Sequence, residues 1–474
     1  MLAQCNRESF GFHALGRRDV VARFDGGRIS SDAGGLLLRE TERVTGIMDQ
    51  FTACFTDHRD PERIEHTVGE LVAQRVYALA LGYEDLNDHD DLRHDPLLAV
   101  LVGKKDPLGQ TRGRARDRGK ALAGKSTLNR LELTPVRANA KSRYKKITLN
   151  RPAVQCLFTD LFIQSHQHPP KRIVLDLDAT DDVLHGRQSG RFFHGYYKSF
   201  CYLPLYIFCG EHLLCARLRP SNLDASAGSV KELQRMVGQI RKHWPTVQIV
   251  IRADSGFCRE TIMAWCEVND VDFVLGLAKN KRLNQEIESE LAQAQRQYEE
   301  TQQAARVFKD FAYQTLKSWS RSRRVIGKAE HLAKGANPRF VVTSLSADEF
   351  DAQSLYEKEY CARGEMENRI KEQQLCLFAD RTSAATMRAN ELRLWFSSIA
   401  YTLMNALRRL GLKNTKMSKA RCDTIRLRLL KIGAQVRITF RKVWVSMSQS
   451  CPYRRIFGQV YGNLVGLRPI SLRC

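Results

Sequence analysis

Three things are scarce in this sequence of 474 residues, and each absence removes a class of protein. Long apolar runs are missing: nothing reaches the roughly 18 residues a bilayer-spanning helix needs, and residues 1–10 lack the basic-then-apolar order of a signal peptide. The expectation is a cytoplasmic chain with no membrane role. Paired cysteines are missing too. The 13 cysteines are odd in number and none stands in Cys-x-x-Cys spacing, which argues against a disulfide framework or a zinc ribbon and leaves them as small buried hydrophobes. Acidic residues, finally, are nearly absent from two stretches. Residues 103–151 carry 15 Lys or Arg against 3 acids, and residues 408–474 carry 16 against 1.

Those two stretches hold more positive charge than the whole chain's +23, so the remainder is slightly acidic and the basicity is segregated. Segregated positive charge is the footprint of a polyanion, because each neutralised phosphate releases condensed counterions. Nucleic acid is favoured over anionic lipid, since no amphipathic membrane helix accompanies the charge. With 43% hydrophobic residues the chain can bury more than one core, and the length suggests roughly two to four domains.

One motif inside the first basic stretch is misleading. Gly119, Gly124, Lys125 and Ser126 spell G-x-x-x-x-G-K-[ST], yet a nucleotide-binding P-loop needs a buried strand to deliver its glycines, and here residues 112–118 are arginine-rich. The better reading makes Ser126 the N-cap of a short helix whose Lys125 and Arg130 face DNA phosphate. Earlier in the chain, residues 20–24 and 28–30 read as a hairpin around Asp25-Gly26-Gly27. A helix is expected from Pro61 with Asp60 as its cap, another over residues 96–102, and the acidic residues 84–91 read as a solvated connection.

After Pro169-Pro170 the pattern becomes β-rich. Strands are expected at residues 173–178, 192–197, 203–209, 247–252, 273–277 and 340–345, with helices at 229–243, up to Val268, 356–374 and 390–410. Three strands, helix, strand, helix, strand and a late helix give an α/β protein with a ribonuclease-H-like catalytic core. Its expected parts are a mostly helical DNA-binding region with a basic arm (1–150), the first part of the core (151–283), an inserted subdomain where the chain turns polar and charged (284–339), the last strand and catalytic helix (340–412), and a basic C-terminal region (413–474). In that last region Trp444 and Tyr453 stand among arginines, a mix suited to backbone contact and base stacking.

Asp178 and Asp254 fall at the ends of expected buried strands and Glu367 on the late helix. Charged groups there need a partner, and Mg²⁺, which prefers hard oxygen ligands such as carboxylates, would supply one. Two such ions can clamp the attacking and leaving oxygens of an in-line phosphoryl displacement. Asp176 rivals Asp178, because strand alternation puts both on one side.

The words around these acids carry a resemblance. Leu175-Asp176-Leu177-Asp178-Ala179-Thr180, then Ile251-Arg252-Ala253-Asp254-Ser255-Gly256-Phe257, then residues 360–368 with Tyr360, Arg363 and Glu367 in Y-x-x-R-x-x-x-E order, resemble the three blocks of bacterial insertion-sequence DDE transposases, in the branch whose β-rich insertion domain lies between the second aspartate and the glutamate, which makes residues 284–339 an inserted β-rich subdomain. Ser31-Asp32-Ala33-Gly34-Gly35 and Tyr202-Leu203-Pro204-Leu205-Tyr206 extend the likeness. The resemblance implies DNA strand cleavage and transfer with two Mg²⁺ ions, Mn²⁺ as a substitute, double-stranded transposon-end and target DNA as substrate, and a homodimer assembled on that DNA. It assigns catalysis and metal binding to Asp178, Asp254 and Glu367, and DNA contact to Tyr360 and Arg363. Where the family carries a lysine this chain has Gln374, and Lys371, on nearly the same face, is expected to take that DNA phosphate-contacting role. The family's DNA-inserting aromatic points to Trp319, for which core packing is an equal alternative. A catalytically silent DNA-binding descendant of such an enzyme is the second functional reading.

Overall fold

The computed structural model of the chain describes residues 9–469. They form two compact units, one of residues 149–398 and one assembled from the segments before 149 and after 398.

The unit of residues 149–398 is built on one mixed sheet of nine strands: β1 (Arg172–Ala179), β2 (Leu205–Cys209), β3 (His212–Arg217), β4 (Gln248–Ala253), β5 (Asp272–Leu277), β6 (Ala305–Tyr313), β7 (Arg323–Leu332), β8 (Gly335–Ala336) and β9 (Arg339–Thr343). Their order is β3-β2-β1-β4-β5-β9-β7-β6, with β8 beside β7. β1, β4 and β5 run parallel, and every other pairing is antiparallel. Strands buried on both faces are the parallel-sheet pattern. On one face Leu175, Leu177, Ile249, Ile251 and Ala253 join Leu233, Met236 and Ile240 of the helix Ser229–His243 in a single core. On the other, Val250, Val274, Ile326 and Val341 pack against Leu355 and Tyr356. Strand periodicity therefore sends Asp176, Asp178 and Arg252 towards the second face, under the segment that begins at Leu355.

Several expectations are corrected here. Residues 192–197 do not supply a strand of the main sheet: Phe192–His194 pairs with Ser199–Tyr202, which pairs with Asp182–Val183, as a separate three-stranded sheet. The strand that takes the place beside β2 is β3, reached through a two-residue turn in which Gly210 adopts φ 56°. That left-handed conformation is open to glycine, and it lets the chain reverse where the sequence reads as one β-rich run. Residues 284–339 contribute the helix Glu288–Thr301 and the long strands β6 and β7, which hydrogen-bond into the main sheet through β9. The late helix is not uniform: a π-helical turn (Leu355–Tyr360) and a 3₁₀ turn (Cys361–Arg363) precede the α-helix Gly364–Leu377.

In the other unit, the strand Arg18–Arg23 pairs with Ser9–Leu15 rather than across Gly26-Gly27, and Ile29–Ser30 pairs with Ala434–Ile438 from the far end of the chain. Pro61–Arg63 is one 3₁₀ turn capped by Asp60. The long helix starts at Val68, where Thr67 and Glu70 form a reciprocal capping box. The acidic stretch is no free connection, for His89–Leu92 is helical with His89 buried. Asp32 of the Ser31–Gly35 word is also buried, ion-paired to Lys431 at 2.7 Å and accepting a hydrogen bond from the Tyr83 hydroxyl at 2.6 Å. Among the described residues no helix is long and apolar enough to cross a membrane.

Candidate active site

Parallel register builds the site. Arg252 lies opposite Asp176 and Ala253 opposite Leu177, so Asp254 follows β4 where Asp178 ends the inward pattern of β1. Asp176 and Arg252 form a bidentate pair, at 2.5 Å from Nε and 2.8 Å from Nη2, and Arg252 also donates to the Glu359 carbonyl. With both oxygens of Asp176 engaged and the residue only 4% exposed, the two rival aspartates stand in different surroundings.

Asp178 is the more open of the two. Its Oδ1 accepts from the Ala179 amide at 2.9 Å and its Oδ2 from Arg363 Nη1 at 3.3 Å. The second Arg363 nitrogen donates to Glu367 at 2.8 Å, one helical turn further on. One guanidinium thus bridges two of the three acids. Burial pushes the Asp178 carboxyl up to about 6; Arg363 opposes the rise, and the negative charges of Asp254 and Glu367 add to it. Burial works against the charge of Arg363 itself, but Asp178 and Glu367 outweigh it and hold the guanidinium above its ordinary pKa. Asp254 accepts from the Gly256 amide at 2.9 Å and caps the turn Ser255–Phe257.

Tyr360 ends the π-helical turn, and its hydroxyl lies over Gly276 of β5. A Cβ at Gly276 would meet that oxygen at 2.5 Å and the Ser255 amide nitrogen at 3.0 Å. Burial raises the Tyr360 phenol above its usual range, with Arg363 countering and Asp254 reinforcing. The expected set Asp178, Asp254, Tyr360, Arg363 and Glu367 is therefore brought together by β1, β4 and one irregular helix. Lys371 sits exposed one turn beyond Glu367. Gln374 turns inward instead, donating to the Asp181 carbonyl at 3.3 Å and to Asp182 at 3.1 Å. Asp182 is fully buried, and burial holds its carboxyl well above the usual range despite Gln374.

The remaining candidates lie elsewhere. Trp319 is 7% exposed in the turn between β6 and β7, edge-on to Tyr313 at 5.8 Å and under the Arg323 guanidinium. Of its two readings, core packing is the one these surroundings support. Lys125 opens the helix Lys125–Glu132 after Gly124, so Ser126 is not the cap. Asp90 accepts from the Lys125 amide at 3.1 Å, placing a carboxylate where a phosphate was expected. Arg130 is exposed, with its guanidinium 5.3 Å from the centre of the Tyr144 ring.

Two site residues escaped the sequence reading. Arg252 was within reach, because R-x-D on β4 beside D-x-D on β1 predicts a cross-strand ion pair once the strands run parallel in register. Gly276 carries no such signal.

A family model of the transposase DDE domain, group 1, matches residues 12–469. The chain belongs to this family. A search of the curated proteins gave no match. DDE transposases act on DNA as nuclease and transferase enzymes and use divalent metals. The donors of this transposase domain suit such an ion in kind, being carboxylates that raise one another's proton affinity. As they stand, no three His, Cys, Asp or Glu side chains among the described residues are grouped to hold a metal ion, and a guanidinium lies between Asp178 and Glu367.

Proposed function

We propose that this transposase binds the ends of an insertion sequence and catalyses DNA strand cleavage and strand transfer, with Asp178, Asp254 and Glu367 as its metal-holding carboxylates. The observation that carries the reading is the meeting of Asp178 and Asp254 at the ends of neighbouring parallel strands, with Glu367 tied to Asp178 through Arg363. The sheet order β3-β2-β1-β4-β5 supports a ribonuclease-H-like core, which residues 284–339 interrupt and residues 340–412 complete.

Bound Mg²⁺ or Mn²⁺, two ions per site, would activate the attacking oxygen and stabilise the leaving one. The chain's own groups position the rest. Arg363 holds two acids at a fixed spacing and offers five donors to a phosphate once a stronger cation takes the carboxylates. Tyr360 orients beside Asp254, and the basic segments bind backbone phosphates so that the scissile bond is placed before reaction. The proposed substrate is double-stranded DNA in the cytoplasm, cut by a homodimer assembled on the transposon ends.

The test is metal-dependent nicking of DNA that carries the element's own flanking ends. Asp254→Ala and Asp178→Ala are expected to lose cutting by at least a thousand-fold, on the order of removing a metal ligand, while still binding. Tight binding by the intact protein with no cutting in Mg²⁺ or Mn²⁺ would establish the silent DNA-binding protein instead.

A further inference from the structure

The separate three-stranded sheet carries a surface that the carboxylate site leaves unused. Its hairpin places Phe193 opposite Phe200, 5.6 Å between ring centres, with 59% and 43% of these residues exposed. The four-residue tip, 195–198, ends in Lys198 at φ 52°, a left-handed conformation that a lysine adopts at some cost. Tyr196 projects from that tip and is 84% exposed. Apolar aromatic area of this extent is unusual on a surface with nothing to contact.

Charge says what fits it. Residues 183–202 contain no acid, while Arg187, Arg191 and Lys198 are basic, and the Arg191 guanidinium lies 4.6 Å from the centre of the Phe200 ring. Cations interleaved with exposed rings suit a flexible polyanion whose flat groups can stack, and single-stranded nucleic acid is that polyanion. A second copy of the same hairpin would bring like charges together, and paired bases in a duplex present no free face to a ring.

Position adds the last step. The Tyr197 hydroxyl donates to the Ala179 carbonyl at 3.3 Å, one residue from Asp178, and Tyr196 packs edge-on against Tyr197 at 5.0 Å. The tip is thereby fastened to the end of β1. We infer that this hairpin is a binding site for single-stranded DNA, with Tyr196 stacking on an unpaired base next to Asp178. The inference rests on the reading that the chain acts on DNA and adds to it a strand-separated stretch beside the carboxylates.

The probe is a short oligo(dT) carrying one 2-aminopurine, mixed with the full-length protein in EDTA, so that binding is read without metal or cutting. Wild type is expected to quench the 2-aminopurine. Tyr196→Ala should lose the quench and bind about ten-fold more weakly, the size of one stacked base, while Tyr196→Phe keeps both. Duplex DNA of the same length should bind Tyr196→Ala as it binds wild type. Equal affinity and quenching in wild type and Tyr196→Ala overturn the inference, as does a Tyr196→Ala change confined to the protein's oligomeric state. A catalytic failure would instead show as absent nicking in Mg²⁺ with stacking intact, so the two readings fall separately.

Discussion

At the scale of single residues, Gly276 sets the tightest steric limit in the site. Its missing side chain lets the Tyr360 hydroxyl lie where a Cβ would come within 2.5 Å, and the neighbouring Ser255 amide cannot retreat because it is backbone. Gly276→Ala is expected to displace Tyr360 and slow DNA nicking about ten-fold or more, a typical cost of sub-ångström misplacement. In a double-mutant cycle with Tyr360→Phe, the two losses should be less than additive, because the collision is with the hydroxyl. Glu42, in the other unit, gives a pH prediction. Its Oε1 accepts from the Met48 and Asp49 amides, yet burial dominates and raises the carboxyl to about 8. The folded protein then keeps a proton that the unfolded chain gives up above the ordinary value near 4.5, so stability falls as pH rises from there towards 8. Glu42→Gln keeps the acceptor and removes the titration. Its thermal midpoint should equal that of wild type near pH 4 and lie several degrees higher at pH 8.

Among elements, the register of β1 against β4 is what brings Asp178 and Asp254 together, and the Asp176–Arg252 pair pins it at the end nearest the site. Removing one partner strands the other in the core. Arg252→Met should destabilise by about 3 kcal/mol in urea unfolding, and adding Asp176→Leu should recover most of the loss, because an apolar pair has no charge to desolvate. Much at this scale was legible in the sequence. The helix Ser229–His243 follows directly from its apolar spacing, and β1, β4, β5 and β9 lie within a residue or two of the expected strands. Period and apolar run suffice where an element is buried on one or both sides. The misses share a cause in turn chemistry and pairing partners, which local pattern does not encode. Residues 192–197 and β3 exchange roles because a glycine turn decides which strand joins the sheet. Ile29–Ser30 finds its partner some 400 positions away. For the site, the three acid-bearing words pointed to Asp178, Asp254, Tyr360, Arg363 and Glu367, which do lie together, whereas Arg252 was quoted in its word without a role. Trp319 was ambiguous because bulk and aromaticity suit a core as well as a surface.

Taken as a whole, the molecule is a slightly acidic body with two strongly basic stretches. DNA affinity should therefore fall linearly with salt on logarithmic axes, losing about a thousand-fold between 50 and 200 mM if six or more phosphates are neutralised. Fluorescence anisotropy on duplex DNA checks this, and a flat response would mean the basic stretches do not carry binding. The division into units has a separate consequence. One unit closes only when Ile29–Ser30 meets Ala434–Ile438 and buried Asp32 meets Lys431, while the other lies wholly between residues 149 and 398. During synthesis the segment that carries Asp32 thus waits, with an aspartate lacking its counter-charge, until the residues from Lys431 to Ile438 have been made. The sheet that carries the carboxylates can finish folding earlier, so a chain cut short after residue 398 would hold that sheet assembled beside an unfinished partner unit.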